Sequence, residues 1–268
     1  MKRYLLLFFL FVNITSSAQR NAARADSFAK YSYRIFGMKS INDKKYISAG
    51  GTGFFIKDKG RLFFITAMHV VSGCEDDSTK DRNFPDTLYI IEKEPGKDAS
   101  LFYPLPTKQL IKIPCNTMKE SGDYMVFPIP DSQMQNVYSV ERFIQPPFKK
   151  LQTLSVWGYP ANKSVKKEEL DFTDPSPILL NLAGNEFVRM AGSNKRIDSL
   201  RYFVIADIKT DGLAGYSGSP VFLKDKESKK WRVAGIFVAT TVDPKRHKKF
   251  IVITKIDFVI NVITKFPQ

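Results

Sequence analysis

From Tyr46 onward the chain breaks into short runs of apolar, aromatic and β-branched residues, with turn-forming residues between most of them. Such runs suit strands, because branched and aromatic side chains pack well on a pleated surface. "YISAGGTGFFIK" and "RLFFITAMHVV" are joined by the turn-like "DKG", and "DTLYIIEK", "KQLIKIP" and "YMVFPIP" follow. The second half repeats the style with "TLSVWGYP", "PILLNL", "EFVRM", "LRYFVIADI", "SPVFLK", "WRVAGIFVATT" and "KFIVIT". Many short strands at this spacing predict barrels or a sandwich rather than a parallel sheet alternating with helices. Only two helices are expected. One is short and lies just after His69; the other is the C-terminal "KIDFVINVITKF", whose apolar residues suit one helical face.

The 268 residues, 43% of them apolar, suffice for one large or two small folding units with a real core. Pro128, Pro130, Pro146 and Pro147 bracket the middle, which divides the chain into units at 46–145 and 146–268. Asp76 to Pro85, Asn162 to Pro177 and residues 191–199 read as exposed loops.

The start of the chain reads as a targeting segment. Lys2 and Arg3 precede the apolar "YLLLFFLFV", and Ser16 and Ala18 fall at the small-residue positions of a cleavage site. The apolar run is too short to span a bilayer. Residues 1–18 are therefore expected to be a removed signal peptide, with the mature protein secreted or periplasmic and without a transmembrane segment. Residues 19–45 form an N-terminal extension. Its "SFAKYSYRIFG" is aromatic enough to pack, which leaves open whether it is a propeptide or part of the body. An exported protein with two cysteines, Cys74 and Cys115, either bridges them or does not; sequence separation does not decide.

Formal net charge is +14, and +12 without the signal segment, which carries two basic and no acidic residues. The basic runs "KKEE", "KDKESKK" and "DPKRHKK" read as solvated hairpin tips. No recognition helix or aromatic RNA-binding motif accompanies them, so no nucleic-acid partner is expected. Two histidines and two cysteines at these spacings match no zinc-ligand pattern, so no metal is expected either.

The chemistry concentrates on "GYSGSPVF", residues 215–222, where Ser217 stands between two glycines. A nucleophile elbow of the Gly-x-Ser-x-Gly kind needs glycine at 219, which is serine here, and a helix after it, where "PVFLK" is strand-like. A Walker loop needs a lysine that is absent. A nucleophile on a tight turn fits better, and a serine hydroxyl then requires a base oriented by a third group. His247 lies in the charged "PKRHKK", whereas His69 ends the apolar run "FFITAMHVV", where a core would fix it.

"GTGFFI" followed by "FITAMHVV" resembles the glycine-rich strand and Thr-Ala-x-His segment of chymotrypsin/trypsin-like serine proteases. "SGDYMVFPI" is similar to their Asp-centred strand start. "LSVWGYP" resembles the strand opening their second barrel, and "GYSGSPVF" with "RVAGIFVAT" resembles their nucleophile loop and the strand after it. The flavour is that of compact exported bacterial members such as glutamyl endopeptidases. The resemblance runs from about Ala49 to the C-terminus, in the order His, Asp, Ser that separates this family from subtilisins and α/β-hydrolases.

The resemblance implies an all-β fold of two packed antiparallel six-stranded β-barrels, 46–145 and 146–268, with a short C-terminal helix. It implies a serine endopeptidase acting on protein or peptide substrates without a cofactor. His69 would be the base, Asp123 its orienter and Ser217 the nucleophile, with the Gly215 and Ser217 amides as oxyanion hole. Two positions depart from trypsin. Tyr216 replaces the aspartate that receives a new N-terminus in zymogen activation, so that step is not expected. Ser219 replaces a common glycine, as it also does in the glutamyl endopeptidases. For substrate binding, Asp211 lies where trypsin holds its pocket-base aspartate, though "TDGLAGYSG" also resembles members in which the Thr-Asp is structural. Thr240 would wall the pocket and narrow it. The competing expectation is a protease-like fold that is catalytically silent and serves as a binding module.

Overall fold

The structure is a computed structural model, and it describes residues 28–42, 44–72, 85–93, 100–106, 122–130, 137–144, 151–159, 178–183, 187–188, 201–205, 213–225, 228, 230–243 and 248–265. Residues 1–18, Cys74, Cys115, Asp211, His247 and the run "KQLIKIP" lie outside them.

The fold is mostly antiparallel β-sheet. The first sheet comprises β1 (Tyr33–Ile41), β2 (Lys44–Asp58), β3 (Arg61–Thr66), β4 (Thr87–Lys93), β5 (Ser100–Pro106) and β6 (Met125–Ile129). Its order is β5-β4-β1-β2-β3-β6. The β2–β3 hairpin pairs Asp58 with Arg61, leaving Lys59 and Gly60 as a two-residue turn, both at positive φ. That left-handed pair matches the right-handed twist of the flanking strands. Pro128 is tolerated because β6 is an edge strand, paired only with β3 among the described residues.

The second sheet holds β7 (Leu151–Gly158), β8 (Ile178–Ala183), β9 (Phe187–Val188), β10 (Arg201–Ile205), β11 (Pro220–Asp225), β12 (Trp231–Asp243) and β13 (Lys248–Lys255). Its order is β8-β7-β11-β12-β13-β10-β9. This sheet has seven described strands, where six were expected. The extra edge is β9, a two-residue strand that "EFVRM" contributes beside β10 through Phe203–Val188 and Val204–Phe187 pairs. A short helix α1 (Met68–Ser72) contains His69, and α2 (Ile256–Ile263) ends the described chain with Ile256, Val259 and Ile263 buried.

Both faces of the second sheet are buried. Along β13, Ile251 and Ile253 join one apolar cluster with Leu154, Val156, Tyr216, Val221 and Leu223. Phe250 and Val252 point the other way, into a larger cluster shared with Phe54, Phe64, Met68 and α2. The period-2 alternation of a strand thus separates two cores rather than a core from water. The N-terminal segment belongs to the larger core. Phe28, Tyr31 and Tyr33 are buried, and the Phe28 ring packs on Phe222 and Trp231 of the second sheet, with centroids 4.6 and 5.0 Å away. β1, drawn from the stretch read as an extension, pairs with both β2 and β4.

Candidate active site

The register of the first sheet brings Asp123 to His69. β6 opens with Met125 opposite Thr66, so residues just before β6 lie beside those just after β3. The turn there is tight: Gly122 has φ +88° and Asp123 φ +55°. The Gly122 carbonyl accepts a hydrogen bond from the Thr254 hydroxyl, and the Asp123 carbonyl accepts one from the Met68 amide at 3.4 Å. Both carboxylate oxygens of Asp123 then engage one residue. Oδ1 accepts from the His69 backbone amide at 3.0 Å and Oδ2 lies 2.8 Å from His69 Nδ1.

An ionised carboxylate can only accept, so Nδ1 carries the proton and Nε2 of a neutral ring keeps its lone pair. The His69 side chain is 24% exposed and that of Asp123 only 9%, so the ring edge meets solvent while its partner is covered. The two contacts with the covered carboxylate fix the orientation of the ring.

Ser217 sits in the turn that feeds β11. The turn is held against both sheets. The Gly218 amide donates to the Phe237 carbonyl at 2.8 Å, and the Phe237 amide donates to the Ser219 carbonyl at 2.9 Å. On the other side the Thr52 amide donates to the Ser217 carbonyl at 2.9 Å. Gly218 has φ +91°, and a Cβ there would fall 1.9 Å from the Thr52 carbonyl oxygen and 3.0 Å from the Ala67 nitrogen. Only glycine lets the turn approach the strand end that leads to His69 this closely. Gly51 plays a matching role: its Cβ would meet the Val70 side chain at 2.8 Å and the Ser217 carbonyl oxygen at 3.0 Å.

Among the described residues, no hydrogen bond joins His69 to Ser217. The Ser217 hydroxyl faces the Val238 carbonyl at 3.5 Å, a long and weak contact. Val238 is the extra residue of a bulge in β12, between the Phe237–Ile253 and Ala239–Val252 pairs. The bulge turns its carbonyl toward the turn rather than into the ladder.

The backbone amides of the turn divide into two sets. Tyr216 N donates to Leu213 O, Gly218 N to Phe237 O and Ser219 N to Tyr216 O. Gly215 N and Ser217 N donate to no acceptor among the described residues. Gly215 has φ +94°. Tyr216 is buried against Phe237, with ring centroids 6.3 Å apart. Thr240 lies two residues beyond Val238 on β12 and is exposed; Asp211 lies outside the described residues.

Sequence reasoning passed over two groups at this site. Thr52, quoted only as part of "GTGFFI", contacts the turn through its amide and its hydroxyl. Arg201 sits on β10 opposite Thr254, and burial pulls its guanidinium below its usual value while the charge of Asp123 opposes that shift. A threonine between glycines was the available signal for the first; nothing local marked the second. Among the described residues no group of three or more His, Cys, Asp or Glu side chains is placed to hold a metal ion, and no helix is long and apolar enough to cross a membrane. Set against known protein families and against curated proteins, the chain gives no match.

Proposed function

We propose that the chain is an exported trypsin-like serine endopeptidase, secreted or periplasmic, whose two sheets are the walls of two packed barrels. The observation that carries this reading is the clamp of both Asp123 oxygens on His69, beside a turn whose Gly215 and Ser217 amides donate to no acceptor among the described residues. His69 Nε2 takes the Ser217 proton as Oγ attacks the scissile carbonyl carbon. The oxyanion that forms is held by the Gly215 and Ser217 amides. The imidazolium returns its proton to the amine of the departing chain, leaving an ester on Ser217. A water that gives its proton to His69 attacks the ester, and Ser217 recovers its own. No cofactor enters. A catalytic hydrogen bond between such a pair is commonly long before substrate binds and tightens when it does. Thr240 walls and narrows the substrate pocket, and Asp211 is the candidate for its base.

The long contact of the Ser217 hydroxyl with Val238 favours a second reading, a silent protease-like fold that binds rather than cleaves. Incubating a denatured protein mixture with the mature protein and with Ser217→Ala separates the two. The proposal expects new termini from the wild type alone, clustered on one side-chain class. No new termini from either protein, with both folded, contradicts it and leaves the binding module.

A further inference from the structure

Thr52 has no part in the reaction as just described, yet its polar groups converge on the turn that carries it. It lies in β2 and is fully buried. Its hydroxyl donates to the Gly215 carbonyl at 2.8 Å and accepts from the Tyr159 amide at 3.0 Å. The directions are fixed by chemistry: an amide can only donate and a carbonyl can only accept, so the hydroxyl proton goes to Gly215. Its own amide donates to the Ser217 carbonyl, and its carbonyl accepts from the Thr66 hydroxyl at 2.7 Å.

The consequence follows peptide by peptide. The Gly215–Tyr216 peptide is held at its oxygen by Thr52 and at its N–H by Leu213 O. The Ser217–Gly218 peptide is held at its oxygen by Thr52 and at its N–H by Phe237 O. A peptide plane bonded at both ends cannot rotate without breaking both bonds. Gly215 N and Ser217 N, which donate to no acceptor among the described residues, belong to the peptides that precede these, so the fixed planes set the orientation of their attachment.

We infer that Thr52 is the positioning residue of the nucleophile turn: by holding the Gly215 and Ser217 carbonyls on the first sheet it keeps the two oxyanion donors turned toward substrate. This rests on the reading of Ser217 as nucleophile. The hydroxyl also ties the turn to the end of β7 through Tyr159, whose phenol donates to the Ser32 carbonyl at 3.1 Å.

The test compares wild type, Thr52→Val and Thr52→Ser by peptide-cleavage kinetics and by amide hydrogen exchange of residues 213–219. Thr52→Val keeps the branched shape and removes the hydroxyl; Thr52→Ser keeps the donor. Thr52→Val should lower kcat by about 100-fold, the scale of a misplaced oxyanion donor, with KM changed by less than about threefold. Thr52→Ser should stay within about threefold of wild type in both, a rescue that general loss of packing would not give. Exchange at Tyr216, Gly218 and Ser219 should rise at least about tenfold in Thr52→Val and not in Thr52→Ser. Should Thr52→Val fail to fold, Thr52→Cys, with its weak S–H donor, replaces it with intermediate effects expected. Wild-type kcat and wild-type exchange in the hydroxyl-free variant overturn the inference. If the wild type cleaves nothing, the endopeptidase reading fails, and the exchange comparison alone decides whether Thr52 holds the turn.

Discussion

Asp123 occupies the left-handed region at φ +55°, where a non-glycine residue costs on the order of 1 kcal/mol. That strain is sustained by bonds on every side: to the His69 amide and ring, to the Met68 amide and, one residue back, from Thr254 to Gly122. In the proposed mechanism the carboxylate serves by its charge and by accepting from Nδ1. Asp123→Asn keeps the shape but offers an N–H to Nδ1, which moves the imidazole proton to the nitrogen that must be free. Cleavage at neutral pH should fall on the order of 10⁴-fold, with the melting temperature lowered far less than an unfolding variant would show. A cleavage rate within about tenfold of wild type would mean that the pair does not set the tautomer. Tyr159 makes a different prediction. Burial raises its phenol well above the ordinary value of 10.0, with Arg34 opposing more weakly. The unfolded chain therefore releases this proton first, and the contribution to stability, complete below about pH 10, is lost as pH climbs toward the folded value. Tyr159→Phe should make the alkaline decline in urea-melt stability shallower while costing about 1 kcal/mol at neutral pH for the lost bond to Ser32. Burial raises Tyr124 and Tyr216 in the same direction, so the decline persists in part. An alkaline limb identical to wild type contradicts the assignment.

Strands were the most legible elements. "RLFFIT", "MVFPI", "PVFLK" and the long runs around β12 and β13 carry enough branched and aromatic residues to be recognised one by one. Their boundaries were less so, because β12 continues past "ATT" to Asp243. The expected helix after His69 begins one residue before it, at Met68. β1 was harder. "YRIFGMKSI" alternates polar and apolar residues weakly and contains Gly37, where the pairing with β2 shifts register. Its aromatic character was visible, its partners were not, since they are set by strands well downstream. Phe28 and Tyr31 brace this element against Phe143, Phe222 and Trp231. Phe28→Ala should therefore lower unfolding stability by about 3 kcal/mol in urea melts, the scale of an emptied aromatic site. A change below about 0.5 kcal/mol, the scale of an exposed position, would show that this segment does not belong to the core.

At the scale of the molecule, hydrogen bonds between the sheets decide where the site falls. Thr52 reaches Gly215, Ser217 and Tyr159, Ser32 reaches Trp157, and Thr254 reaches Gly122. These join residues more than a hundred positions apart, and no local pattern encodes such a distance. Motif order brought His69, Asp123, Gly215 and Ser217 into view because each sits in a short segment with its own signature. Thr52 has a signature only once its partners are known. The second sheet misled in one respect: with both faces buried, its strands read as unbroken apolar runs and gave no sign of which side met the first sheet. The central claim is that Ser217 is a nucleophile activated by the His69–Asp123 pair. The most direct measurement is mass-spectrometric mapping of a fluorophosphonate adduct on the mature, folded protein at neutral pH. The account predicts a single adduct on Ser217, lost in Ser217→Ala and slowed on the order of 10⁴-fold or more in His69→Ala. A folded protein that forms no adduct, or one whose Ser217 reacts as fast without the imidazole, contradicts it.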